Sequence, residues 1–564
     1  MSNGILVTFA GYPYTPSSLF PDNGLANMAA SLLANGHGIK IWDLNTLSTM
    51  ERLMTPALRV DMRRLLGLYK LVGRDEEATA FAQDLDRRVE AHMAEESLRM
   101  ADELCAEVEA GGYDWVGFKL YMGDGLRNSV RMAERIRERL PGLKLFAGGP
   151  QADLVRDAVY RRTRVFDAVA VGEGEWTIVC LADWVDGKGT LAAVPNILYF
   201  EGEQIVATPE QRIPDLNQIA TPVYDVEIYP AMAGDEKIKI LTYDESRGCP
   251  YQCAFCIHAA KSGINRRVKD PALIAQELDD LSTRYDTRLF RLAGSSTPYY
   301  TLFQVTQQLI ERGTEVMFSA YGTPYSLDPA YLPTLTAGGM WGIFFGVESG
   351  SPRILERMNK NKNRIDGMEK TIRACLDAGM FVVSSMLYPA PGEDEESTRE
   401  TLDFLRRVFT GYDHYSIPVT FAGLMPNTAW FREREKYGFH IDDEQDYLQE
   451  VMDFRIKALM PYALWPRASY VLDGQPQHAL AMRSGWLLEQ LRSEGFTTML
   501  LDDTAIVATL ADIPLERALD ELVAIFLTGD MEGARRIARR VNARASLKGG
   551  PLPRAVPRAE RATA

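Results

Sequence analysis

The chain has 564 residues, a formal net charge of −15, and 46% hydrophobic and 25% charged residues. This balance is typical of a globular protein and excludes a fibrous or wholly disordered chain. No apolar run approaches the roughly 20 residues that a membrane-spanning helix needs, and the N-terminus lacks the features of a secretory signal. We therefore expect a cytoplasmic protein without a membrane partner, and the acidic charge argues against nucleic acid as a partner.

The first part of the chain alternates strand and helix patterns. Apolar runs predict strands at residues 5–10, 39–43, 115–120, 144–147 and 168–171. Such alternation is typical of an α/β fold with a doubly wound, Rossmann-like parallel sheet. The sequence thus predicts a first domain over residues 1–185, with a helical insertion at 46–110.

The rest of the chain divides into four further segments. Several prolines predict a linker over residues 186–236, with one hairpin near 197–206. Six strand–helix repeats over residues 237–430 predict a partial (β/α)6 barrel. Residues 431–547 read as mainly helical, and the Pro/Arg/Ala-rich segment 548–564 as a disordered tail.

Three of the six cysteines stand close together, in the run Arg-Gly-Cys-Pro-Tyr-Gln-Cys-Ala-Phe-Cys. They are Cys249, Cys253 and Cys256, and they follow the first predicted barrel strand. Structural zinc would need a fourth ligand, and apart from His258 no further pair follows at zinc spacing. Three clustered thiolates favour an iron–sulfur cluster over zinc or disulfides. Three ligands would leave one iron of a four-iron cluster open to a small molecule.

This C-x3-C-x2-C loop, with Phe255 before its third cysteine, resembles the signature of the radical S-adenosylmethionine (SAM) superfamily. The resemblance spans about residues 237–430 and implies a [4Fe-4S] cluster on Cys249, Cys253 and Cys256, with SAM bound at the open iron. Two loops depart from the family pattern, since 293–297 lacks acidic residues and 321–323 lacks an arginine. The SAM contacts that the resemblance implies are Phe255, Gly294, Ser296, Glu348, Ser349 and Ser385.

The first domain resembles the cobalamin-binding domain of the cobalamin-dependent branch of that superfamily. The glycine-rich runs at 148–151 and 172–175 carry this resemblance, because glycines let the backbone approach a large flat ligand. The histidine motif D-x-H-x-x-G is absent after the first strand. We therefore expect base-off cobalamin without a protein histidine on the cobalt. The implied cobalamin contacts are Tyr12, Gly148, Gly149, Pro150, Gln151, Gly172, Glu173 and Gly174.

The resemblance implies a class B radical SAM methyltransferase, in which SAM methylates cobalamin and the methyl group passes to a carbon or phosphorus centre. The expected substrate is a small-molecule or peptide natural-product intermediate, as in antibiotic biosynthesis, and the expected electron donor is a flavodoxin-like protein. The aromatic residues Tyr299, Tyr300 and Tyr321 follow barrel strands and predict a substrate pocket. The alternative is a cobalamin-dependent cyclase or ring-rearranging enzyme, and a non-catalytic sensor would need neither barrel nor open iron.

Overall fold

The computed structural model of the protein describes residues 1–72, 76–324, 327–360, 365–454 and 468–555. Two mainly parallel sheets follow one another along this part of the chain, and a mainly helical region comes after them. Among the described residues, no helix combines the length and the apolar character needed to cross a membrane.

The first sheet has seven strands in the order β2-β1-β3-β4-β5-β6-β7. The strands are β1 (Asn3–Thr8), β2 (Gly38–Asp43), β3 (Trp115–Lys119), β4 (Lys144–Gly148), β5 (Ala168–Ala170), β6 (Ile197–Glu201) and β7 (Gln204–Ala207). The first five pair in parallel, and β6 and β7 are antiparallel. This order is that of a doubly wound sheet, so the predicted fold of the region is confirmed.

Helices connect these strands and cover the sheet. They are α1 (Asn23–Ala34), α2 (Leu47–Leu53), α3 (Pro56–Val72), α4 (Glu76–Gly111), α5 (Asp124–Arg139), α6 (Pro150–Val155), α7 (Val159–Arg162) and α8 (Gly174–Val185). The Asp22 side chain accepts a hydrogen bond from the Leu25 amide at 3.0 Å and so starts α1. Helices α2 to α4 occupy the segment that was predicted as a helical insertion.

The segment predicted as a linker contributes to the first sheet. Its hairpin, β6 and β7, extends the sheet because β6 pairs with β5. The segment therefore does more than connect two domains. Lys237 directly follows this segment, and its side chain is buried. It donates to Asp43 Oδ2 at 2.6 Å and to the Asn45 carbonyl at 2.7 Å. Residues 237–240 consequently pack against the first sheet, and the next strand starts only at Leu241.

The second sheet is an open barrel of parallel strands. Its strands are β8 (Leu241–Tyr243), β11 (Leu289–Leu292), β12 (Met317–Gly322), β13 (Met340–Glu348), β14 (Phe381–Leu387), and β15 (Tyr415–Ser416) with β16 (Val419–Thr420), which both pair with β14. A short hairpin, β9 (Ser246–Arg247) and β10 (Arg267–Val268), flanks the cysteines. The sixth strand position of the barrel is thus shared by two short strands, β15 and β16. The expected partial barrel is confirmed.

The barrel strands alternate with helices. These helices are α9 (His258–Ser262), α10 (Pro271–Tyr285), α11 (Tyr299–Arg312), α12 (Leu332–Ala337), α13 (Pro352–Arg357), α14 (Ile365–Asp377) and α15 (Glu395–Phe409). The buried residues of α10, α11 and α14 are mostly apolar and form one core with the barrel strands. Because the strands are parallel, their carboxyl ends lie at one rim of the barrel, which is where barrels of this kind place their functional loops.

The C-terminal region is mainly helical, with a small sheet. Its elements are α16 (Ala429–Arg432), β17 (Phe439–Ile441), α17 (Glu444–Asp453), β18 (Tyr470–Leu472), β19 (Gln475–Pro476), α18 (Gln477–Ser493), α19 (Asp502–Leu510), α20 (Leu515–Thr528) and α21 (Met531–Ala545). The three strands form an antiparallel sheet in the order β17-β18-β19. Helix α20 packs against α3, so this region also covers the first sheet's helices.

The prediction of a disordered tail over residues 548–564 is wrong for its first part. Leu552 is buried, and Arg288 donates to the Gly550 carbonyl at 2.7 Å. The reason is that Arg288 is itself buried at the start of a barrel strand and needs acceptors, which the tail supplies. Residues 556–564 lie outside the described residues.

A buried ionic cluster joins α19 to the inside of the barrel. Asp502 accepts hydrogen bonds from Arg291 Nε at 3.2 Å and from Ser319 Oγ at 2.5 Å. Asp503 lies 3.5 Å from Arg291 Nη1, and its pKa is raised by burial even though Arg291 opposes the shift. Because buried charges must be paired, this cluster fixes α19 against β11 and β12.

Replacing Asp502 by Ala should lower the free energy of unfolding by about 3 to 5 kcal/mol, because Arg291 would lose its main buried partner. Urea unfolding followed by circular dichroism measures the change. The control is Asp512→Ala, whose carboxylate pairs with Arg544 at the surface and whose loss should cost about 1 kcal/mol or less. Equal losses in the two variants would contradict this account of the cluster.

Candidate active site between the two sheets

A cavity of about 350 Å³ lies between the carboxyl edge of the first sheet and the loops of the barrel. Six of the eight residues predicted to contact cobalamin line it. These residues are Gly148, Gly149, Pro150, Gly172, Glu173 and Gly174. The barrel side of the cavity includes Arg247, His258 and Lys261, which flank the cysteine loop. The structure thus places most of the predicted cobalamin contacts opposite the residues that stand directly before and after the cysteine segment.

The lining of this cavity is partly apolar and partly charged. Leu6, Phe146 and Ile178 contribute apolar side chains, and Lys119 and Asp153 contribute charged groups. Gly172 has a φ of +82°, and a Cβ built there meets nothing within 4 Å. The sheet edge therefore leaves open space beside apolar and polar lining residues, which fits a large ligand such as a corrinoid with its nucleotide tail.

The other two predicted cobalamin contacts lie elsewhere. Tyr12 is buried, and its hydroxyl donates to the Phe526 carbonyl at 2.9 Å. Gln151 is fully buried at the start of α6, and its side-chain amide group has no hydrogen-bond partner among the described residues. Neither side chain lines the cavity, because each points into a core rather than toward the sheet edge.

A buried charge cluster holds Lys119, one of the residues that line the cavity. Lys119 Nζ donates to both carboxylate oxygens of Asp22, at 2.8 and 2.7 Å, and Tyr121 donates to Oδ2 at 2.9 Å. Burial alone would raise the pKa of Asp22, but the Lys119 ammonium outweighs it and the pKa is lowered. Burial and the nearby Asp22 raise the pKa of Tyr121 to about 12. The cluster therefore carries a fixed ion pair and a neutral phenol.

Two ion pairs hold the cysteine hairpin against the first sheet. Arg247 Nη2 lies 2.5 Å from Glu175 Oε1, and Arg267 Nη2 lies 2.6 Å from Glu173 Oε1. Glu173 also accepts from the Ile213 amide at 2.7 Å. Glu173, a predicted cobalamin contact, thus lines the cavity, and its carboxylate joins the first sheet to the cysteine hairpin by binding Arg267.

The cysteine loop is wrapped tightly by neighbouring backbone. Gly248 has a φ of +84°, and a Cβ there would lie 2.3 Å from the Asn265 carbonyl oxygen. The Cys249 amide donates to the Gly263 carbonyl at 3.0 Å, and the Ala254 amide to the Met358 carbonyl at 2.8 Å. These contacts hold the segment that carries all three cysteines, and each of the three is a free, half-buried thiol.

The thiols sit where a metal would change their ionisation. Burial raises the pKa of Cys253 to about 11, and burial also raises the pKa of Cys256. A thiol in such surroundings stays protonated at neutral pH unless a cation binds it, and a bound metal ion removes the proton outright. Three partly exposed soft donors on one short loop therefore fit an iron–sulfur cluster.

Glu348, a predicted SAM contact, forms a buried ion pair beside the cysteines. Lys360 Nζ lies 3.0 Å from Glu348 Oε1 and donates to the Gly346 carbonyl at 2.6 Å. Burial alone would lower the pKa of Lys360, yet Glu348 raises it overall. The Lys360 ammonium also lies 5.9 Å from the centre of the Phe255 ring. The sequence pattern gave no signal for Lys360, which lies 12 residues after Glu348.

The two predicted serines near Glu348 have different surroundings. Ser349 is buried, and its hydroxyl pairs with Thr401 Oγ1 at 3.1 Å and accepts from the Ser351 amide at 3.1 Å. Its side chain therefore supports the loop after β13. Ser385 is half-buried on the next strand and donates to Glu348 Oε2 at 3.4 Å. Ser385 thus lies beside the Glu348 carboxylate.

The loop after β11 is held by a residue that sequence reasoning missed. The Gly294 amide donates to the Glu245 carboxylate at 3.1 Å, and Thr297 Oγ1 donates to it at 2.5 Å. A Cβ on Gly294 would lie 2.3 Å from Glu245 Oε1, so only glycine fits there. Burial raises the pKa of Glu245 to about 7. The predicted contact Ser296 is also buried and accepts from Arg266 at 3.1 Å.

The three tyrosines predicted to form a substrate pocket separate in the structure. Tyr299 is buried, and its hydroxyl donates to the Thr323 carbonyl at 2.6 Å. Tyr300 is 57% exposed and packs on Phe303 and Tyr331. Only Tyr321 lies on the inner side of a barrel strand, next to Arg291 and Phe344.

Comparison with known proteins identifies the barrel. Residues 246–405 match the family model of the radical SAM superfamily. The chain is 23% identical to an uncharacterized methyltransferase of Pyrococcus horikoshii, over 52% of this chain and 64% of that one. It is 28% identical to the 2-(S-pantetheinyl)-carbapenam-3-carboxylate methyltransferase of Streptantibioticus cattleyicolor, over 57% of this chain and 49% of that one. The matches therefore span about half to two thirds of these relatives.

A solved structure shows the same fold over most of the chain. The cobalamin-dependent S-adenosylmethionine radical enzyme OxsB, with aqua-cobalamin bound, superposes with a TM-score of 0.60. The match covers 95% of this chain and 72% of that one, at 14% identity.

These findings define the barrel as a radical SAM domain. With the doubly wound sheet ahead of that domain, the fold of the chain is similar to that of the solved cobalamin-dependent enzyme, in agreement with the resemblance found in the sequence. The names of the relatives also agree with the predicted class of methyltransferase.

Glu245 should make the stability of the protein depend on pH. Its pKa is about 7 in the folded chain against a usual value of 4.5, so between these values the folded state keeps a proton that the unfolded chain has lost. The free energy of unfolding should therefore fall as the pH rises from 4.5 to 7. Urea unfolding at several pH values measures this slope, which Glu245→Gln should reduce.

The control for that experiment is Glu516→Gln, at an exposed position of α20. This variant should keep the wild-type slope. A Glu245→Gln curve that runs parallel to the wild-type curve would show that Glu245 is ionised in the folded protein.

Proposed function

We propose that the protein is a cobalamin-dependent radical SAM methyltransferase that acts on a small-molecule or peptide natural-product intermediate. The observation that carries the proposal is the shared cavity, which has the glycine-rich sheet edge on one side and the cysteine hairpin on the other. Two reacting groups held across one enclosed space gain the rate advantage of proximity. The name of the carbapenam methyltransferase among the relatives supports an antibiotic intermediate as substrate.

The proposed cofactors have identifiable places on the chain. Cys249, Cys253 and Cys256 would hold the [4Fe-4S] cluster, and the edge with Gly148 and Gly172 would hold cobalamin. When bound, the cluster and SAM supply reductive cleavage of the sulfonium, and cobalamin supplies methyl transfer. We propose the unit boundaries 1–185, 186–236, 237–430 and 431–547 for this arrangement, and a cytoplasmic location.

The chain's own residues position and enclose the reacting groups. Glu348 offers a carboxylate whose charge Lys360 balances, so it can accept a hydrogen bond without carrying an uncompensated buried charge. Glu245 holds the Gly294 amide and keeps the following loop in one conformation. Arg291 and Tyr321 are hydrogen-bonded to each other and present polar groups inside the barrel. Asp502 holds Arg291 in place by accepting a hydrogen bond from its guanidinium.

The surroundings of the cavity support base-off cobalamin without a protein histidine ligand. Of the residues that line the described cavity, only His258 is a histidine, and it comes from the barrel side. Its Nδ1 pairs with Ser295 Oγ at 2.8 Å. His37 lies at the opposite end of β2, where its ring contacts Ser2 and Asp183. We further propose a flavodoxin-like electron donor, because the cluster chemistry consumes one electron.

The proposed activity predicts two separable cofactor sites. Replacing Cys249, Cys253 and Cys256 together by Ala should abolish iron binding and product formation, while cobalamin binding persists. Anaerobic iron analysis and the visible spectrum measure both cofactors, and Cys375→Ala, at a fully buried position, is the control with intact iron. Product that gains one CH2 unit from SAM supports methyl transfer, and product formed without that gain would favour the cyclase alternative.

Cobalamin binding should depend on the small residues at the sheet edge. Ala170 lines the cavity at the end of β5, so Ala170→Phe should fill part of it and weaken hydroxocobalamin binding by roughly tenfold or more. Equilibrium dialysis measures the dissociation constant. Ala207→Phe, at an exposed position of strand β7, should bind as the wild type does, and unchanged binding by Ala170→Phe would place cobalamin elsewhere.

A further inference from the structure

A second cavity, of about 620 Å³, opens at the surface and reaches Cys253 and Cys256. We call it the cysteine cleft. It shares no lining residue with the cavity at the sheet edge. The inner cavity is lined by Arg247 and His258, which stand before and after the cysteine segment, whereas this cleft reaches two of the cysteines themselves.

The walls of the cysteine cleft are bonded directly to the cysteine loop. On one side, the Asn359 side chain donates to the Gln252 carbonyl at 2.7 Å, and the Ala254 amide donates to Met358. On the other side, the Trp430 amide donates to the Ala254 carbonyl at 2.9 Å. Because both walls hold the same short loop, a molecule seated between them has a fixed position relative to the thiols.

The rim of the cleft is positive although the chain as a whole carries −15. Arg357 and Arg432 are exposed and line the cleft, and no carboxylate of a described residue lies within ion-pair distance of either. Three other charged residues line the cleft. Lys436 Nζ forms an ion pair with Glu433 Oε2 at 2.6 Å. The third, Glu356, also interacts with another residue. The two arginines therefore leave a local positive charge in the cleft that reaches Cys253 and Cys256.

Resting on the proposed function, we propose that the cysteine cleft is the docking surface for a small acidic one-electron carrier protein. The reduced flavin or iron–sulfur centre of the carrier loses one electron, and the cluster on the three cysteines gains it. No atom or proton is transferred. Under the proposed function the inner cavity holds the substrate, so a carrier seated at the cleft delivers the electron without displacing the substrate.

Charge complementarity argues for this occupant over a neutral or basic one. An acidic carrier is repelled by most of this protein's surface and attracted at the rim of the cleft, which selects one orientation. Electrostatic steering of this kind raises the rate of association and weakens with added salt. The same positive rim would not favour a basic or apolar partner.

The test uses the full-length protein with a reconstituted cluster and a purified flavodoxin kept reduced by its NADPH-dependent reductase. We expect Arg357→Glu/Arg432→Glu to slow reduction of the cluster by flavodoxin about tenfold or more at low salt, measured by stopped-flow absorbance and electron paramagnetic resonance. Reduction by dithionite should keep its wild-type rate. The wild-type flavodoxin rate should fall with added salt, and the variant's rate should depend on salt less.

The control is Arg87→Glu/Arg517→Glu, which makes the same change of net charge at exposed sites on α4 and α20. It should keep the wild-type flavodoxin rate. Equal slowing of both variants, or no slowing of the cleft variant, would overturn the docking site. Slowing with dithionite as well would also overturn it, since the substitutions would then affect the cluster itself. A wild-type protein that assembles no cluster would instead refute the proposed function.

Discussion

The arrangement of the site depends on two buried ion pairs between the first sheet and the cysteine hairpin. Arg247 and Arg267 meet Glu175 and Glu173 at the start of α8, with all four side chains at most 14% exposed. A charge taken out of water is costly unless it is paired, so few other placements of the hairpin satisfy all four groups. These pairs set the width of the cavity in which the proposed cofactors would meet.

Because polar groups near this junction must be satisfied, many of them serve the protein rather than a ligand. Glu173 accepts a hydrogen bond from Arg267, the Ser349 hydroxyl pairs with Thr401, and the Gly294 amide donates to Glu245. The surface left for cofactors is therefore formed by backbone at glycines, by the apolar space beside β1 and β4, and by a few balanced charges such as Lys119. Such a surface suits large ligands that are recognised through shape as much as through individual hydrogen bonds.

Two cavities of different character lie next to the cysteine segment. The inner one is lined from both sheets, with Arg247 and His258 on the barrel side, whereas the outer one reaches Cys253 and Cys256 and carries two arginines at its rim. The loop itself is bonded on each side to backbone of α13 and α16 or to the residues next to them. Under the proposed function, this arrangement would let electron entry and substrate chemistry use different sides of the cluster.

The sequence by itself determined the two α/β units and the three cysteines, because periodicity and short-range spacing are local properties of a chain. It also located the glycine-rich turns at 148–150 and 172–174, since strand ends can be read from the pattern. It grouped Tyr12 and Gln151 with residues that line the cavity, which these two do not, and it gave no signal for Glu245, Lys360 or Asp502. These residues acquire their roles from partners far along the chain, such as Arg291 for Asp502. Burial and pairing of that kind arise only when distant segments pack together, so only the tertiary structure decided them.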